Sequence, residues 1–178
     1  MNLINIIDSN TYSIITKLMS NNVTAVMIFI SYLGSAVVLI CLTIALIILL
    51  KNKRDAKFIT SNLVIVFLLN KILKLIIARP RPSVLRLVYE EGYSFPSGHA
   101  MVSMGFYGFL IYLAYKNIKN KKIKIPLIIF LSILILLIGV SRIYLGVHYA
   151  TDIIGGFLIA IIYLILFIKF LYKNKKIK

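Results

Sequence analysis

The chain has 178 residues, of which 61% are hydrophobic and 15% charged; a soluble domain carries about 45–50% apolar and 25% charged residues. The mean hydropathy of +0.97, concentrated in long apolar blocks, excludes an ordinary soluble fold and assigns the surplus to lipid. The net charge of +16 would suggest nucleic acid in a soluble protein. Here it lies in short runs between apolar blocks, a membrane-topology pattern that removes nucleic acid from the expected partners. Cys41, the single cysteine, has no partner for an intrachain disulfide or a thiolate metal site. The excess of lysine over arginine, 16 to five, fits an AT-rich bacterial genome.

In chain order, residues 1–22 place Leu3, Ile7, Ile14 and Leu18 at helical spacing and are expected to lie on the membrane interface as an amphipathic helix. The alternative, a sixth span, would have to carry Asp8 and Lys17 across the bilayer. Five blocks near the ~20 residues a spanning helix needs then follow, at about 23–50, 58–78, 99–115, 125–141 and 149–168. They are apolar all round rather than alternating, which argues against barrel strands. The expected architecture is therefore an all-α integral membrane protein, a single domain over 1–178 built as a bundle of about five transmembrane helices plus the interfacial helix.

The connections 51–57, 116–124 and the tail 169–178 hold four, five and five Lys or Arg. All three fall on one side when the spans alternate, and the positive-inside rule makes that side the cytoplasm. The C-terminus is then inside and the N-terminus outside.

Of the remaining basic residues, Lys71, Lys74, Arg79, Arg81 and Arg86 cluster on the side that should be poor in them, which calls for an anion. Taken alone, Lys71 and Arg86 read as snorkelling side chains at a helix end. Lys74 and Arg81 are seven residues apart and are expected to share a face of the second span, with Pro80 and Pro82 stopping the helix beyond them. The two histidines of the chain, His99 and His148, both open apolar blocks on this same side. Asp152 follows His148 by four residues, a spacing at which a carboxylate can fix an imidazole tautomer and support charge on the ring. Pro96-Ser97-Gly98-His99 offers a serine N-cap and a glycine that lets a ligand approach the helix-end amides. Its bland reading is a capped helix start after a loop.

With these residues in place, the sequence resembles the type-2 phosphatidic acid phosphatase superfamily, which includes bacterial polyprenyl-diphosphate phosphatases and the vanadium haloperoxidases. A lysine, six residues and Arg-Pro are matched by Lys74 to Arg81-Pro82. Pro-Ser-Gly-His is matched at Pro96 to His99, and Ser-Arg, five residues, His, three residues, Asp by Ser141-Arg142, His148 and Asp152. The resemblance covers about residues 55–170. One departure lies at the N-terminus, where one clear span and an amphipathic segment stand in place of the two spans of well-known members.

The resemblance implies catalytic roles for three residues: His148 as a nucleophile forming a phosphohistidine, Asp152 orienting it, and His99 as general acid and then base. Lys74, Arg81 and Arg142 would hold phosphate oxygens with the Ser97 hydroxyl and the Gly98 amide, with no metal and no other cofactor. The expected substrate is a membrane lipid phosphate or diphosphate, undecaprenyl diphosphate first and phosphatidylglycerophosphate or phosphatidic acid as the alternative, hydrolysed at the outer face of a bacterial cell membrane. A lipid-phosphate-binding protein or transporter is the non-enzyme alternative; it would not need His99, His148 and Asp152 together.

Overall fold

The structure, a computed structural model, describes residues 3–173; residues 174–178 of the expected basic tail lie outside them. Seven helices follow in order: α1 Leu3–Thr16, α2 Asn21–Tyr32, α3 Ala36–Leu49, α4 Lys53–Ile77, α5 Gly98–Asn117, α6 Lys121–Tyr144 and α7 Ala150–Lys173. Three of them, α4, α6 and α7, are long and apolar enough to cross a membrane, and α2 with α3 forms a fourth candidate as a bent pair.

α5 is the axis of the bundle, packed against α4, α6 and α7. Ala100, Met101, Phe106 and Phe109 on it are wholly buried. Small residues let its neighbours close in, as in membrane helix packing generally. A Cβ on Gly105 would lie 2.8 Å from Val66 of α4. Because the other helices enclose it, α5 can carry His, Ser and Tyr where α4, α6 and α7 must present Leu75, Phe130 and Leu166 outward. Those exposed side chains would be an aggregation surface in water and are a lipid face in a bilayer.

The expected continuous span 23–50 is corrected to two helices meeting at 49°. The cause lies in tertiary packing at Leu33–Ser35. A Cβ on Gly34 would sit 2.6 Å from Ile138 of α6 and 2.8 Å from Ser103 of α5, so the chain touches the bundle at this point. Tyr107 donates to the Leu33 carbonyl (2.7 Å), and Ser35 caps α3 by accepting from the Val38 amide. α2 packs on α6 while α3 leans on α4. The start of α2 is held at the other end by Tyr144, whose hydroxyl meets Thr24 Oγ1 at 2.9 Å.

α1, at 14 residues, is ~21 Å long, short of the ~30 Å hydrocarbon core. It exposes Leu3, Ile7 and Ile14, as does Leu18 just beyond it, but it buries Asp8 and packs on α6 and α7. The basic connections 51–57 and 116–124 share one end of the bundle, where Asn117 donates to Asp55 (3.0 Å). The loop 78–97 and the turn 145–149 lie at the opposite end.

Candidate active site

α4 stops at Ile77, earlier than the spacing of its basic residues suggests. Ala78 takes a left-handed conformation (φ 47°) with its N–H on the Lys74 carbonyl, and Pro80 disfavours helix for the residue before it. Arg81 therefore sits in the loop and not on the α4 face with Lys74, which corrects the shared-face expectation. Both nevertheless line one cavity. Lys74 Nζ donates to the carbonyls of Tyr93 and Ser94 (3.3 Å for the latter). Arg81 donates to the carbonyls of Glu91 (2.7 Å), Val147 (2.9 Å) and Gly92 (3.0 Å). Arg86 does not snorkel; it folds back on the Pro82 carbonyl (2.8 Å).

His148 lies in the turn between α6 and α7. Gly146 shapes that turn: its φ is +71°, and a Cβ there would lie 2.2 Å from the Leu85 carbonyl oxygen. His148 Nε2 is 3.3 Å from Arg81 Nη1, and Nδ1 is 3.4 Å from Asp152 Oδ2. A guanidinium only donates, so Nε2 is the acceptor and the ring proton sits on Nδ1, facing the carboxylate. Burial is the main force pushing His148 down to about 4, opposed by the Asp152 hydrogen bond and reinforced by Arg142, Arg81 and Lys74. The ring is thus neutral near pH 7, with its Nε2 lone pair facing the cavity.

Asp152, in the first turn of α7, is fully buried. Its Oδ2 accepts from the Tyr149 amide (2.9 Å) and from the Ser94 hydroxyl, and its Oδ1 from Arg79 Nη1 (2.6 Å). Arg142 ends α6 with a side chain only 3% exposed. It donates to Ser31 (2.5 Å) and to the Glu90 carboxylate, whose other oxygen is 3.7 Å from Arg81. Arg142 Nε has no hydrogen-bond partner among the described residues.

The cavity has a volume of about 670 Å³. Its polar end is formed by Lys74, Arg81, Glu90, Gly98, His99 and His148, and its apolar flank by Leu39 and Ile40 of α3 with Val64, Phe67 and Leu68 of α4. The bend at Gly34 and Ala36 forms part of its wall. Lys71, also at its edge, holds its ammonium over the Phe67 ring at 5.5 Å. Of the residues singled out from sequence, Ser97, Arg142 and Asp152 lie behind this surface. The Ser97 hydroxyl is wholly buried and caps α5 by accepting from the Ala100 amide (3.5 Å).

Arg79, Ser94, Glu90 and Ser31 hold no defining position in the motifs, and neither does Asp8, whose Oδ2 accepts from Arg79 Nη2 (2.7 Å). Asp8 did carry a signal, being the one charge in an otherwise uncharged α1. Ser94 carried none.

The sequence model of the family described as the PAP2 superfamily matches residues 56–176. Phosphatidylglycerophosphatase B of Bacillus subtilis (strain 168) is 44% identical over 94 residues, which is 51% of this chain and 45% of that protein. The chain thus matches less than half the length of that relative. Undecaprenyl-diphosphatase BcrC of the same organism is 30% identical over 152 residues, 82% of this chain and 74% of that one. Among solved structures, the transmembrane PAP2 type phosphatidylglycerolphosphate phosphatase from Bacillus subtilis superposes with a TM-score of 0.87 at 31% identity. That match covers 100% of this chain and 89% of the other, so the N-terminal helices belong to the shared fold. Aquifex aeolicus LpxE gives 0.72 at 27%, covering 91% and 94%.

Proposed function

The chain belongs to the PAP2 superfamily, and on that premise we propose that it is a lipid phosphatase of a bacterial membrane, releasing phosphate through a phosphohistidine on His148. The observation that carries this reading is the neutral His148, with its Nε2 lone pair toward Arg81, at the polar end of a cavity whose flank is apolar.

Nε2 attacks phosphorus and the P–O bond to the lipid breaks. The leaving oxygen takes a proton from His99, which lines the same cavity. The ring gains positive charge as the N–P bond forms, and Asp152 at Nδ1 stabilises it. His99, now neutral, takes a proton from water, whose oxygen attacks phosphorus. The N–P bond then breaks and inorganic phosphate leaves. Lys74, Arg81 and Arg142 supply the positive charge that phosphoryl transfer needs around the equatorial oxygens.

Phosphatidylglycerophosphate is the favoured substrate, supported by the full-length likeness to a structure of that activity and by the 44% relative. Undecaprenyl diphosphate, the first expectation from sequence, is the second reading; it is favoured by the relative that matches 82% of the chain. In both cases the lipid tails run along the apolar flank between α3 and α4. The test is phosphate release by purified protein from phosphatidylglycerophosphate, undecaprenyl diphosphate, phosphatidic acid and a soluble phosphomonoester. The lipid substrates are expected to exceed the soluble one, with activity undiminished in excess EDTA and inhibited by vanadate. Loss of turnover on chelation, restored by Mg²⁺, would overturn the metal-independent mechanism.

The site is proposed to face away from the cytoplasm, α1 lying on that outer interface. On a Cys41→Ala background, Tyr89→Cys is expected to react with an impermeant thiol reagent only from outside and Asn120→Cys only from inside. The reverse pattern would invert the topology.

A further inference from the structure

Asp152 is wholly buried, so both of its oxygens need partners. Oδ2 is served by groups around His148. Oδ1 has Arg79 Nη1 at 2.6 Å, and Arg79 occupies one of the unspecified positions of the first motif. Arg79 is in turn fixed on three sides: its Nη2 on Asp8 Oδ2 (2.7 Å), its Nη1 on Thr151 Oγ1 (2.8 Å), and its plane over the Tyr149 ring at 4.0 Å. Asp8, itself 6% exposed, also accepts from the Thr151 amide (2.9 Å). A carboxylate from α1 thereby caps the N-terminus of α7 one residue before Asp152.

We propose that Arg79 and Asp8 are positioning residues for the reaction, a relay through which α1 sets the orientation and effective charge of the Asp152 carboxylate. The inference rests on the phosphohistidine reading above and deepens it.

The charge balance explains why two residues are needed. Arg79 alone would orient Asp152 but neutralise it, leaving little negative charge to support the ring as His148 gains a bond to phosphorus. With Asp8 on its far side, the three groups together carry one negative charge, the same as an unpaired Asp152. Orientation is then obtained without loss of electrostatic support.

The test is a double-substitution cycle on the purified full-length protein, assayed for phosphate release from phosphatidylglycerophosphate and undecaprenyl diphosphate. Arg79→Gln and Asp8→Asn are each expected to lower kcat by about 10- to 100-fold, the scale on which groups behind a functional residue act. KM should change by less than about twofold, since neither side chain lines the cavity. Arg79→Lys is expected to recover part of the loss. In an Asp152→Asn background, Arg79→Gln should cost little more, because residues acting through one another are not additive. Elution profile and thermal midpoint in detergent separate a folded slow enzyme from a misfolded one, and Asp8→Glu supplies a second variant if Asp8→Asn fails to fold. Wild-type rates in the Arg79 and Asp8 variants, a loss confined to KM, or a full additional loss in the Asp152→Asn background would overturn the relay while wild-type hydrolysis stands. A wild-type protein that releases no phosphate overturns the phosphatase reading, and the relay with it.

Discussion

His148→Ala is expected to lower kcat on the order of 10⁵- to 10⁶-fold, the scale on which removing a covalent nucleophile acts. The magnitude follows from the site's construction. The remaining cations would still bind and polarise phosphate, but no other side chain among the described residues presents a lone pair held between Arg81 and Asp152. Asp152→Asn is expected to lose less, about 10⁴-fold, because the ring keeps a partner but loses support for its charge. The pH profile supplies an independent check. Attack needs a neutral ring, and burial with Arg142, Arg81 and Lys74 holds His148 at about 4 against the pull of Asp152. The acid limb of kcat/KM should therefore fall near that pH, with activity present above it and lost as pH falls through it. A limb at the ordinary histidine value near 6.5 would mean that the ring is not enclosed as described.

His99→Ala is expected to have a different signature, because His99 is proposed to act on the leaving group. General acid catalysis contributes about 10² to 10⁴-fold. An alkoxide leaving from phosphatidic acid or phosphatidylglycerophosphate needs that proton, whereas the phosphate leaving from a diphosphate is already a weak base. The loss on monoesters is expected near the upper end of that range and the loss on undecaprenyl diphosphate near the lower end, both measured as kcat on the same preparation. Equal losses on both substrate types would remove His99 from the proton-transfer role. The His99 ring lines the cavity alongside His148 and has no hydrogen-bond partner among the described residues, which leaves it free to meet a leaving oxygen.

The parts of the site legible from sequence are those whose geometry is local. His148 and Asp152, four residues apart, meet at 3.4 Å with His148 in the turn that leads into α7, and Ser97 caps α5 because a serine before a helix satisfies its first amides. The apolar blocks 58–78, 125–141 and 149–168 fall on the three helices apolar enough to span, because hydropathy over ~20 residues is itself the physical cause of spanning, whereas the block 99–115 is α5, which is not among the candidate spans. Features that depend on distant parts of the chain were not legible. The 49° bend needs Gly34 to meet Ile138 and Ser103, two residues about a hundred positions away or about seventy. The sequence places Asp8 on an interfacial segment, yet it is buried against Arg79 and Thr151, partners 71 and 143 residues off. The two-turn spacing from Lys74 predicts a helical position for Arg81. The left-handed Ala78 and the pair of prolines moved it into the loop, from which it still reaches His148.

The most direct measurement is to trap the intermediate. Purified protein is mixed with a lipid phosphate labelled in its terminal phosphate and denatured within a single turnover. The expected result is acid-labile, base-stable phosphate on the wild-type chain, mapped to His148 and absent from His148→Ala. Label on His99, or label persisting in the His148→Ala protein, would contradict the assignment of the nucleophile and reverse the roles of the two histidines.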